Sequence, residues 1–135
     1  MKRRVFAMFL AVALVFALAA CTGGKEGGKE PAANNGEKVV RIGVFEPSTG
    51  DSGPGGKQEM LGMQYANKET PTVEIGGETY KVELVYADNG SDSAKAPTAA
   101  AELVGKDVAL VLGSYGSGVS MAGGPVFEEN GLAAI

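Results

Sequence analysis

The residues best placed to do chemistry lie in one short glycine-rich stretch, Ser114-Tyr115-Gly116-Ser117-Gly118. It leaves a continuous apolar run, residues 108–112, and enters a helical pattern that begins near Ser117. Such a loop suits an anion, because the first N–H groups of a helix lack intrahelical acceptors and the helix dipole favours negative charge there. Gly116 and Gly118 let the backbone come close to a ligand. Ser117 offers a hydroxyl as well, and Tyr115 a surface for an apolar ligand group or for backbone. The same residues also suit a purely local role, with Ser117 as a helix N-cap and the glycines making a tight turn.

Other chemistries find too few residues. The 135-residue chain has one Cys, no His and no Trp, so Cys/His zinc sites, Ser-His-Asp or Cys-His catalysis and an intrachain disulfide are excluded for this sequence. Three motifs come close and fail at a necessary position. A phosphate-binding loop around Lys57 would need Gly where Asp51 stands and Ser or Thr where Gln58 stands. A dinucleotide fingerprint beginning Gly116-Ser117-Gly118 would place its third glycine at Met121. Gly118-Val119-Ser120-Met121-Ala122 approaches a nucleophile elbow but has no His to act as base. Glu46, Asp51, Asp88 and Asp92 fall near strand ends, where turn formation and solvation account for them. The sequence therefore implies no cofactor, no metal and no enzyme. A net charge of −4 also argues against a nucleic-acid surface, which needs clustered Lys and Arg.

The elements that must position the loop follow a regular alternation. Residues 39–45 read as a strand, followed by the turn-rich PSTGDSGPGG. A helix is expected over residues 57–68, with Met60, Leu61, Met63 and Tyr65 at three- and four-residue spacings, and Pro71 ends it. Gly76-Gly77 lies between short β-prone pieces and predicts a small hairpin over residues 72–79. Val82, Leu84 and Tyr86 alternate in a second strand over residues 80–87, and Asp88 to Ser93 make a turn with helix N-cap residues at its end. Ala96, Ala99, Ala100, Leu103 and Val104 then mark a helix, with Pro97 accommodated in its first turn. Residues 108–112 suit a strand buried on both faces, 117–129 a third helix, and 132–135 the opening of a fourth strand. The order β-α-β-α-β-α-β predicts an α/β fold, a parallel sheet with helices on both faces and right-handed crossovers. Ligands of such sheets bind beyond the carboxyl ends of the strands, at residues 47–56, 88–93 and 114–118 here.

The N-terminal part reads differently. Lys2, Arg3 and Arg4 precede an apolar run over residues 5–20. A membrane-spanning helix needs about 20 apolar residues and a signal-peptide core about 7–15, and this run lies near the latter. It closes with Leu18-Ala19-Ala20-Cys21, which resembles the lipobox of bacterial lipoproteins. That resemblance implies a signal peptide over residues 1–20, cleavage before Cys21 and a diacylglycerol on its thiol. Residues 22–38, TGGKEGGKEPAANNGEK, lack large apolar side chains and should form a flexible tether. Loss of the signal would leave nine basic against sixteen acidic residues, a charge of −7 on the exported part.

From residue 38 onward the chain resembles the branched-chain amino acid binding proteins of ABC importers, lipoproteins of the type I periplasmic binding protein family. The resemblance rests on Arg41-Ile42-Gly43-Val44 with Ser48-Thr49-Gly50, Gly62-Met63-Gln64 with Ala66, and Leu84-Val85-Tyr86-Ala87-Asp88 followed by Asp92-Ser93-Ala94-Lys95-Ala96. It continues through Val111-Leu112-Gly113, Ser117, Pro125-Val126 and Gly131-Leu132. No single motif is diagnostic; the resemblance is carried by their order and spacing together. The resemblance implies that residues 39–135 are part of the first of two lobes and that the sequence is truncated within the sheet. It implies ligand contacts at Ser117, with the N–H groups of Ser117 and Gly118, and beside them Gly116 and Tyr115. In that family a serine at the Ser117 position meets the ligand's α-carboxylate. Some members carry an aromatic residue in the first loop near the ligand side chain, at the place of Gly55. The implied partners are an amino acid, the permease subunits of the importer and, through Cys21, the outer face of a bacterial membrane. A ligand sensor of the same fold, an amide- or urea-binding relative and an exported α/β hydrolase are the alternatives.

Overall fold

The computed structural model describes residues 36–135. The expected signal peptide, Cys21 and most of the expected linker lie outside the described residues.

The apolar, β-branched segment Val39–Glu46 forms β1, at the centre of the sheet. It pairs in parallel with β3 (Glu78–Asp88) from Val39 opposite Lys81 to Glu46 opposite Asp88. On its other side it pairs in parallel with β4 (Leu110–Leu112), Val44 facing Leu112. The hairpin expected at Gly76-Gly77 is present: both glycines have positive φ, and β2 (Thr72–Ile75) returns antiparallel onto β3 as an edge strand. The sheet order is β2-β3-β1-β4. Beyond β4 the chain end lies parallel to it, with the Val111 N–H donating to Ala133 O at 2.9 Å and the Ile135 N–H to Val111 O at 3.0 Å.

Three helices cover the sheet: α1 (Gly53–Glu69), α2 (Ala96–Val104) and α3 (Ser117–Glu129). The two-residue period of β1 decides which face each covers. Phe45 points toward α2 and α3, where its ring meets Phe127 edge-on at 5.3 Å and occupies the space that a Cβ on Gly123 would need. Gly43 lies on the same face, against Leu103, Val108 and Val111. Glu46 points the other way, beside Glu59 of α1. The core is therefore on the α2/α3 side, built from Phe45, Ala87, Ala96, Ala99, Ala100, Leu103, Val108, Val111, Val119 and Phe127. Each large member contributes about 1.5–3 kcal/mol by burial, and the alanines of α2 let α2 and α3 pack closely.

Two expectations shift. Helix α1 begins at Gly53, four residues ahead of the expected start, because Pro54 fits the first turn of a helix and the Gly56 N–H already bonds Ser52 O at 3.0 Å. Its apolar spacing does not mark a fully buried face: Leu61 and Tyr65 are 63% and 66% exposed, and the fully buried residues of α1 are Gly53 and Gly56.

Candidate functional site

The three loops that follow β1, β3 and β4 meet at the carboxyl ends of the strands, and side chains bind them together. Asp88, the last residue of β3, accepts from the N–H groups of Ser48 and Gly90 at 2.8 and 2.9 Å and from that of Thr49 at 3.3 Å. The Thr49 hydroxyl donates to its second oxygen at 2.7 Å. Burial alone would raise this carboxyl, but the donors from Thr49, Gly90 and Ser48 outweigh it and hold it well below the usual carboxylate range. Ser91 completes the link by donating to Thr49 O and accepting from the Ser52 N–H, both at 3.0 Å. Asn89, fully buried, joins the third loop: its Nδ2 donates to Phe45 O at 3.1 Å and to Ser114 Oγ at 3.0 Å.

The loop between β4 and α3, residues 113–116, is held from below as well. Gly113 has φ +112°, and a side chain there would collide with Phe45 O and the Glu46 carboxyl, so only glycine fits. Glu46 is 1% exposed, and its Oε2 accepts the Tyr115 N–H at 2.9 Å while Oε1 has no partner. Burial pushes its carboxyl up to about 7; the Tyr115 N–H works against that rise, and the neighbouring Glu59 adds to it. Glu46 is thus a buried residue, not the solvated turn residue the sequence suggested. Ser120, one turn into α3, accepts the Ser114 N–H at 3.1 Å and directs its own hydroxyl at the carbonyls of Ser114 and Gly116.

These anchors leave the expected site residues presented. Gly116, with extended backbone, is the N-cap of α3, and Ser117 is its first helical residue. The N-capping role considered for Ser117 is therefore not the one it takes. Its side chain is exposed, and among the described residues nothing bonds its hydroxyl or the N–H groups of Ser117 and Gly118. Gly118 borders Ser93 of the β3–α2 loop, 3.6 Å from where its Cβ would stand. Tyr115 is 54% exposed and rests on Gly55 of α1. The structure so sets Gly118 beside the β3–α2 loop and Tyr115 against α1, with Gly116 and Ser117 between them in the chain. An open depression of about 700 Å³ lies on the Glu46 side of this loop, and neither Tyr115 nor Ser117 lines it. Among the described residues no cluster of three or more His, Cys, Asp or Glu side chains is arranged to hold a metal.

Sequence reasoning missed Glu46, Asn89 and Ser120 as the residues that fix this loop. Ser120 carried a signal, since it lies one helical turn after Gly116, the N-cap of α3; Glu46 and Asn89 carried none that a local pattern reveals.

Comparison with known proteins places the arrangement. Residues 39–135 match the family model described as periplasmic binding protein. The chain is 31% identical over 96 residues to Leu/Ile/Val-binding protein homolog 2 of Brucella abortus, covering 71% of this chain and 26% of that protein. Among solved structures it resembles the leucine-binding protein LivK of Thermotoga maritima, at 36% identity and a TM-score of 0.65 over 71% of this chain and 27% of that one. It also resembles the branched-chain amino acid transporter substrate-binding protein LivJ of Streptococcus pneumoniae in complex with isoleucine, at 26% identity and 0.63 over 72% and 28%. The chain spans about a quarter of the length of the curated relatives it matches. With its mostly parallel sheet, its loops gathered at the strand ends and this match across all of its strands and helices, the chain belongs to the periplasmic binding protein family.

Proposed function

We propose that the full-length protein is the extracytoplasmic substrate-binding component of an ABC importer and that it binds amino acids with apolar, branched side chains. The observation that carries this reading is the start of α3, where an exposed serine hydroxyl and the unengaged N–H groups of Ser117 and Gly118 sit at the positive end of a 13-residue helix. A carboxylate is the group such an arrangement recognises. The ligand class is supported by the leucine-, isoleucine- and valine-directed relatives.

In this reading residues 1–20 are a signal peptide, Cys21 is the lipidated mature N-terminus, residues 22–38 are the tether and 39–135 belong to the first lobe. The amino acid binds in the cleft between two lobes, and hinge closure presents the closed form to the permease. The start of α3 supplies the carboxylate seat: Ser117 by its hydroxyl, Ser117 and Gly118 by their N–H groups, with Gly116 allowing close approach and Tyr115 beside them.

Calorimetric titration of the full-length protein with leucine, isoleucine and valine tests this. Binding is expected, and Ser117→Ala should weaken all of them by roughly 10-fold or more, the loss of one hydrogen bond to a charged group. Binding of an amide or urea with amino acids inert would overturn the ligand assignment.

A further inference from the structure

We infer that Glu46 couples the carboxylate seat at the start of α3 to pH: ligand binding draws a proton onto this buried side chain, and its ionisation weakens binding. The inference rests on Ser117 and the first N–H groups of α3 being that seat, and adds to it a positioning residue.

Glu46 is tied to the seat through the chain. Its Oε2 accepts the Tyr115 N–H at 2.9 Å, and Tyr115 precedes Gly116, the N-cap of α3, and Ser117, its first helical residue. The N–H groups of Tyr115 and Ser117 are two residues apart, at most roughly 7 Å of extended chain. One of them holds the Glu46 carboxyl, and the other is offered to the ligand. The second oxygen, Oε1, lies so close against Gly113 that a Cβ there would collide with it, and among the described residues no donor meets it.

The charged groups around Glu46 are acidic. From α1, Glu59 comes within hydrogen-bonding reach of its carboxyl, beside the uncharged Gly62 and Met63. On β3, Asp88 stands in register with Glu46, and its donors hold it well below the usual carboxylate range. The β4–α3 loop and α3 bring Ser114, Tyr115 and Ser120. Among the described residues no ion pair reaches Glu46. A carboxylate at 1% exposure beside Glu59, with one oxygen bare, lacks the donors that a buried anion needs. As an acid it is satisfied: one oxygen accepts the Tyr115 N–H, and the other carries a proton that Glu59 accepts.

A bound amino acid brings another carboxylate to the same short stretch of chain. Like charges this close disfavour each other's ionised forms. Leucine keeps its charges from pH 6 to 8, since neither of its groups titrates there. Glu46 is the partner that yields, because burial already carries its carboxyl to about 7 in the free protein. The seat is therefore strongest with Glu46 neutral and weakens as Glu46 ionises.

The test is calorimetric titration of the full-length protein with leucine from pH 6 to 8, in two buffers of different ionisation enthalpy. Affinity should fall by ~10-fold across that range, as one group titrating near 7 and neutral in the complex requires. At pH 7 binding should take up about half a proton per leucine, because about half of the free protein starts ionised at Glu46. Glu46→Gln is neutral at every pH and keeps an oxygen for the Tyr115 N–H. Its affinity should be level from pH 6 to 8, and its proton uptake should be lost. Glu59→Gln removes one cause of the high value, so its affinity should begin to fall at lower pH. That variant keeps the test decisive if thermal melting shows that Glu46→Gln does not fold. A merely structural role for Glu46 would change affinity equally at all pH values and leave the slope in place. A level affinity in the unmodified protein, proton release on binding, or a slope that survives in Glu46→Gln overturns the inference and leaves the Ser117 seat intact. Failure of the unmodified protein to bind leucine at any pH overturns the parent reading and this inference with it.

Discussion

Glu46 should make the stability of this protein fall as pH rises toward neutrality. Its carboxyl is 1% exposed beneath the β4–α3 loop, accepts the Tyr115 N–H through Oε2 and leaves Oε1 without a partner. Burial, with Glu59 alongside, carries it from 4.5 to about 7 against the opposing N–H of Tyr115. The native state thus holds this proton more tightly than the unfolded chain does. At 1.36 kcal/mol per pH unit between the two states, the preference is worth on the order of 3 kcal/mol. Because the folded value is the higher one, this contribution is complete below about pH 4.5, is lost as pH rises through about 7 and is level above that. Glu46→Gln keeps an oxygen for the Tyr115 N–H and removes the titration. In urea unfolding of the full-length protein followed by circular dichroism, the variant and the unmodified protein should be close at pH 5. The variant should then gain up to about 3 kcal/mol by pH 8. Glu59→Gln should move the window to lower pH, since Glu59 is one of the causes of the rise. A stability difference between Glu46→Gln and the unmodified protein that stays constant from pH 5 to 8.5 would refute the reasoning, as would a variant less stable at pH 8.

Three further outcomes are expected, two from the geometry of the site and one from the sequence of the N-terminal part. Asp88→Ala removes the acceptor that joins residues 48 and 49 to residue 90 and should cost roughly 1–2 kcal/mol in chemical denaturation at pH 7. The Asp88 contribution has the opposite pH sign to that of Glu46, being present above the ordinary aspartate range and lost as pH falls below it. Gly113→Ala forces a side chain against Phe45 O and the Glu46 carboxyl at φ +112° and should lower stability by about 2 kcal/mol or more, read as a drop in Tm. Cys21→Ser should abolish incorporation of labelled palmitate and release the protein from the membrane fraction; unchanged labelling would refute lipidation at that residue.

Much of the fold was legible because it depends on periodicity. The alternation of apolar runs with three- and four-residue spacings gave the order of strands and helices, and α3 falls at Ser117–Glu129, as the pattern predicts. The start of α1 was hidden by Gly53-Pro54-Gly55-Gly56, a composition that suits a turn as well as a first helical turn. Leu61 and Tyr65 have helical spacing but are exposed, because spacing reports a face and not what lies against it. Within the site, the loop and Ser117 were legible since glycine, serine and a helix start are local signals. Glu46 was not: a carboxylate after an apolar strand looks like a loop residue, and only the fold of residues 113–116 over it buries it. The contact of Tyr115 with Gly55 joins residues 60 positions apart and has no local signature.

A crystal structure of the full-length protein grown with leucine tests the assignment of the α3 start most directly. The leucine carboxylate is expected within hydrogen-bond distance of Ser117 Oγ and of the N–H groups of Ser117 and Gly118. A bound leucine whose carboxylate lies elsewhere, with Ser117 left exposed as it is here, would contradict it.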